Sequence, residues 1–155
     1  MLRRMTLVLV TGFLVLLAGP AAYAAPPTTT TNHEKGLVEI FVDVLPTCEG
    51  GPEYTITTTA NTIEHETIFD DGRVHATFTQ TGTFTAVPLD DPSLPSYTGK
   101  FTIWGGFNAN GSTVNGTFTF NVRATGSDGS TFSNHIVDHF NERPDGTVNA
   151  FFRCH

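Results

Sequence analysis

Over residues 74–86 the chain alternates with period two. Val74, Ala76, Phe78, Gly82, Phe84 and Ala86 fall on one side, broken only by Gln80, and His75, Thr77, Thr79, Thr81, Thr83 and Thr85 fall on the other. A helix would scatter both sets around its circumference, and a run of Thr and Phe containing Gly is poor helix material. The segment therefore predicts a strand with one buried and one wet face.

The same pattern predicts strands over 37–45, 53–69 (kinked near Asn61), 97–107, 113–123, 131–141 and 147–154, with no helical periodicity anywhere. Asp70-Asp71-Gly72-Arg73, Ala109-Asn110-Gly111-Ser112, Ser127-Asp128-Gly129 and Arg143-Pro144-Asp145-Gly146 supply turn residues that tolerate positive φ. Pro88, Pro92 and Pro95 make 88–96 a loop. Seven strands, or eight if the second divides, joined by short hairpins form an antiparallel up-and-down meander. Such a sheet hides its edges by rolling into a β-barrel, the favoured architecture here; a β-sandwich is the alternative.

Turn lengths fix which residues meet across each hairpin. A two-residue Asp71-Gly72 turn would set Phe69 against Val74 and His65 against Phe78. A loop around Asn110 would set Phe101 against Phe120 and Ile103 against Phe118. A three-residue loop ending in Gly129 sets Phe120 against Ile136 and Phe118 against Asp138, and the last hairpin would set Ile136 against Phe152 and Asp138 against Ala150. The expected inner rows are Phe101–Phe120–Ile136–Phe152 and Ile103–Phe118–Asp138–Ala150.

At the N-terminus, Arg3 and Arg4 precede an apolar run over 7–18, a Gly19-Pro20 break and Ala22-Tyr23-Ala24. This is the pattern of a signal peptide, residues 1–24, and the run is short of the roughly 20 residues of a spanning helix. Residues 25–36, with their Pro-Pro-Thr-Thr-Thr-Thr run, are expected to be a flexible tail, leaving 37–155 as a single β domain. Cys48 and Cys154 are the two cysteines and are expected to pair in an exported chain. Closing a loop of that size is worth about 4–5 kcal/mol in the chain-entropy model.

The formal charge of −7 would become −9 on loss of Arg3 and Arg4. So acidic a surface argues against nucleic acid as a partner, and no stable membrane insertion is expected after cleavage.

Four polar residues interrupt the inward positions: His65, Gln80, Asn134 and Asp138. An inward polar group must pair, hold water or line a cavity, so these, with Phe78 and Phe118, are the candidate ligand-binding residues. His135 and His139 have the H-x3-H spacing of helical metal ligands, but on a strand four residues span about 13 Å, too far for one ion. No metal or cofactor is expected, and no nucleophile elbow or phosphate loop is present. Trp104-Gly105-Gly106 suggests a bulge or a close approach of backbones, and Asn110-Gly111-Ser112 and Asn115-Gly116-Thr117 match the glycosylation sequon.

Gly-Thr-Phe-Thr at 82–85, Thr-Gly-Lys-Phe-Thr at 98–102, Asn-Gly-Thr-Phe-Thr-Phe at 115–120, Gly-Ser-Asp-Gly-Ser at 126–130 and a closing Phe-Arg-Cys at 152–154 give a likeness over most of 37–155. In these the chain resembles small secreted β-rich proteins of actinobacteria, a family without assigned function. The likeness implies a fold and an extracellular compartment and no active site. More distantly, the architecture is similar to lipocalin and allene oxide cyclase barrels. Three functions follow as expectations. The first is non-catalytic binding of a small apolar ligand in a Phe-lined barrel. The second is an isomerase or cyclase of the allene oxide cyclase kind, which would need His65, Gln80, Asn134 and Asp138 to converge. The third is a cell-surface or structural interaction module using the Thr-rich outer face.

Overall fold

The computed structural model describes residues 26–155; residues 1–24, expected to be a signal peptide, lie outside them. The strands are β1 (Thr28–Val44), β2 (Glu53–Ile68), β3 (Val74–Pro88), β4 (Tyr97–Ala109), β5 (Val114–Gly126), β6 (Thr131–Glu142) and β7 (Val148–Cys154). They form one antiparallel sheet in the order β1-β2-β3-β4-β5-β6-β7, each strand beside its sequence neighbour. The sheet is not closed: β1 and β7 are its two edges.

Covalent geometry shows that the sheet is curled. Seven strands laid flat would separate the edges by roughly 29 Å. Yet Cys48, four residues beyond the end of β1, is disulfide-bonded to Cys154 at the end of β7, with Cα atoms 5.5 Å apart. Four residues reach at most about 14 Å, so the edges must bend toward each other at that end. The 45–52 segment fills the gap, burying Leu45 and letting Asn134 Nδ2 donate to Pro46 O at 2.6 Å. The core lies on the concave face there, where Tyr54, Ile56, Phe84, Ala86, Phe101 and Val122 are buried together.

Three hairpins share one device. In 70–72, 127–129 and 144–146 an Asp is followed by a Gly with φ of 81°, 85° and 78°. The Asp carboxylate accepts the backbone N–H two residues on, from Arg73 at 3.1 Å, Ser130 at 2.9 Å and Thr147 at 2.9 Å. These are three-residue loops with the glycine in the left-handed region. The loop ending in Gly129 places Phe120 opposite Ile136 and Phe118 opposite Asp138, as the sequence predicts.

The other registers differ. The β2–β3 loop has three residues where the Asp71-Gly72 turn predicts two, so Ile68 faces Val74, Glu64 faces Phe78 and His65 faces Thr77. That one-residue slip moves His65 to the convex face. The two-residue Gly111-Ser112 turn sets Phe101 against Val122 and Ile103 against Phe120, and the last hairpin sets Ile136 against Cys154 and Asp138 against Phe152. Both shifts are by two, so the faces hold while the rows change. The observed inner rows are Ile103–Phe120–Ile136–Cys154 and Gly105–Phe118–Asp138–Phe152.

Thr28–Asn32, expected in the tail, are instead paired with β2, Thr31 Oγ1 and His65 Nδ1 lying 2.8 Å apart. β-Branched threonines suit an exposed edge strand as well as a tail. The irregularity expected at Asn61 sits across from it: β1 bulges between Glu34 and Leu37, and Gly36 N–H, at φ 68°, donates to Asn61 Oδ1 at 3.0 Å. β4 runs through Trp104, Gly105 and Gly106 without a bulge.

Candidate functional site

Glycine and phenylalanine alternate across neighbouring strands on the concave face. A Cβ placed on Gly82 would lie 2.9 Å from the Phe101 ring, one on Gly105 2.8 Å from Phe118, and one on Gly116 2.6 Å from Phe140. Each ring thus reaches across the glycine of the adjacent strand and rests on its backbone. The result is a ladder: Phe78 and Phe118 centroids are 5.6 Å apart, and Phe118 and Phe140 are stacked at 5.7 Å with planes 10° apart. These rings are half-buried, and Phe152 beyond them on the β7 edge is 47% exposed. The concave face is therefore packed solid at the disulfide end and is an aromatic floor at the other.

The structure does not bring the four inward candidates together. Asn134 closes the end of the sheet through Pro46. Gln80 lies on β3 beside Thr62 and Ile103, and Asp138 lies three strands away on β6 between Phe118 and Phe152. His65 is on the convex face. Burial pushes the Asp138 carboxyl above the usual carboxylate range, partly opposed by the adjacent His139. Glu66 is raised as well, first by burial and then by repulsion from Glu64 on the same face. A cyclase-type constellation of these four residues is not assembled.

Two polar groups that sequence reasoning missed lie on this face. Among the described residues the buried Oγ1 atoms of Thr58 and Thr62 have no hydrogen-bond partner, and Thr58 is only 8% exposed. Their signal is present in β2, where Tyr54, Ile56, Thr58, Ala60 and Thr62 share the inward parity, but it is lost among the threonines facing out.

The convex face is rich in threonine over β2–β5 and exposes Val38, Ile40 and Val42 on the β1 edge. Two open depressions lie on it. One, of about 500 Å³, is lined by Thr57, Thr59, Thr83, Thr85, Thr98 and Lys100 together with Phe84 and Gly99. The second, of about 340 Å³, is lined by Ile63, His65, Thr77, Phe78 and Thr79. The histidines here bond to cross-strand neighbours: His139 Nδ1 to Thr117 Oγ1 at 2.8 Å, His135 Nδ1 to Asn121 Oδ1 at 2.6 Å and His75 Nδ1 to Asn108 Oδ1 at 2.7 Å. Searches against protein-family models, curated proteins and solved structures found no match to this chain.

Proposed function

We propose that the chain is an exported, non-catalytic binding protein that holds a small, largely apolar ligand on the Phe-lined concave face of its curled, barrel-like sheet. Export rests on the N-terminal pattern and agrees with a disulfide, which persists in oxidising compartments. The observation that carries the reading is the half-buried Phe78–Phe118–Phe140 ladder on the concave face, with the Thr62 hydroxyl beside it on β2 buried without a partner among the described residues. A buried hydroxyl without a partner costs about 1–3 kcal/mol, and a ligand with one acceptor and an apolar body would relieve that cost. The Phe78–Phe118–Phe140 ladder supplies the apolar surface, and Gln80 and Asp138 flank it.

The test is native mass spectrometry with a thermal-shift series, comparing long-chain alkanes, ketones and alcohols. A ketone or alcohol at 100 times its dissociation constant should stabilise the protein by about 2.7 kcal/mol. Thr62→Val should stabilise the unliganded protein by about 1 kcal/mol and remove the preference for ketone over alkane. Failure of every lipophilic probe to bind, or binding unaffected by Phe118→Ala, would sink the reading.

A further inference from the structure

The strongest unassigned feature is on the opposite side of the sheet, in its three middle strands. β3, β4 and β5 contain no Asp or Glu. On the convex face, Lys100 of β4 stands directly opposite Arg123 of β5, both exposed. Like charges in that position destabilise a sheet, and among the described residues neither has a carboxylate within ion-pair distance. The threonine-lined depression of about 500 Å³ opens beside Lys100. Along β4, Thr98, Lys100, Thr102 and Trp104 share the face. They make a line of about 20 Å that ends in an indole 39% exposed.

We infer that this convex strip binds an acidic polysaccharide. Each part matches one part of such a chain. Lys100 and Arg123 meet carboxylate or sulfate groups, Arg through a two-pronged hydrogen bond. Threonine hydroxyls donate to and accept from sugar hydroxyls. The Trp104 ring offers a flat apolar surface for the C–H face of a pyranose. The absence of carboxylates from the three central strands lowers the local repulsion that an acidic ligand meets on a protein of net charge −7. Because the strip is separate from the concave face, it stands or falls independently of the apolar-ligand proposal.

Isothermal titration of the full chain with polygalacturonate, with neutral dextran as the comparison, tests the inference. Polygalacturonate should bind and weaken as salt rises, while dextran should not bind. Lys100→Gln with Arg123→Gln should lower affinity roughly ten- to hundred-fold, as expected for losing charge-assisted hydrogen bonds. Thr83→Asp, which sets a carboxylate opposite Lys100, should do the same, and Trp104→Ala should weaken binding of the longer oligomers most. These positions are exposed, and unchanged thermal melts of the variants would show that the fold is kept. Equal binding of dextran, no binding of polygalacturonate, or affinity indifferent to the charge variants would each overturn it.

Discussion

The two faces of this sheet share one backbone and differ in almost every chemical respect. On the concave side the strand residues that ionise are acids: Glu64, Glu66, Asp138 and Glu142, with Glu34, Glu39 and Asp43 on β1. On the convex side the cations Lys100, Arg123 and Arg153 appear, with His33, His65, His75, His135 and His139 and a single acid, Glu53 at the start of β2. Strand parity alone sorts them, since successive side chains point to opposite faces. The consequence is unequal sensitivity. A concave residue is coupled to its neighbours through ring packing and burial, whereas a convex threonine exchanges a water contact for little else.

The largest contrast should come from adjacent residues of β3. Phe84 is 6% exposed and sits in the core, so Phe84→Ala should cost about 3–5 kcal/mol. Thr83→Ala, one residue away on the other face, should stay within about 0.5 kcal/mol. Urea unfolding of the two variants measures both, and similar losses would abolish the distinction between the faces.

Second in size is the clasp that curls the sheet. Replacing Cys48 and Cys154 together by Ser opens a bridge with a sequence separation of 106 residues and should cost about 2–5 kcal/mol. Because the clasp holds the edges of the concave face together, the loss should carry a drop in affinity for lipophilic probes. Polygalacturonate affinity on the central strands should change less.

The parity that sorts the faces was legible in the sequence wherever an error in loop length was even. Expected and observed registers of β4–β5 and β6–β7 differ by two residues, and Phe118, Phe120, Ile136 and Asp138 still face inward. The β2–β3 error was odd. Asp71-Gly72 fits either a two-residue turn or the last two positions of a three-residue loop, and the same dipeptide type at 128–129 takes the longer form, as the sequence predicts there. His65 changed face on that single ambiguity. Closure was harder still: period-two patterning is local, while curl depends on how the segment 45–52 packs against β6. Thr58 and Thr62 were invisible because a threonine inside a Thr-rich strand carries no mark of which threonines lose their water.

The aromatic floor gives a subtler break. Gly116→Ala should cost about 1–3 kcal/mol, since overpacking forces a ring or strand to move, and the nearest obstacles to the new methyl are Phe140 ring atoms at 2.6 and 2.9 Å. In a Phe140→Ala background most of that penalty should vanish, the signature of two residues coupled through contact. An undiminished penalty would place the obstacle in the β4 backbone, where Gly106 O lies 3.2 Å from the new methyl, and deny that the rings lie over the glycines.

The smallest effect separates the two sets of carboxylates. Asp71, Asp128 and Asp145, in the turns, are held below the usual carboxylate range by hydrogen bonds from the residues they cap. Their contribution is present at neutral pH and is lost on acidification. Asp138 is shifted the other way, so the folded chain holds that proton more tightly than the unfolded one. Stability must then fall as pH rises from the usual carboxylate range through the raised value, and stay level above it. Asp138→Asn should remove that falling component while leaving the acid-side loss from the turns untouched. Urea midpoints across the carboxylate range measure the difference, and parallel curves for the two proteins would mean that the concave carboxylate is as well hydrated as those in the turns.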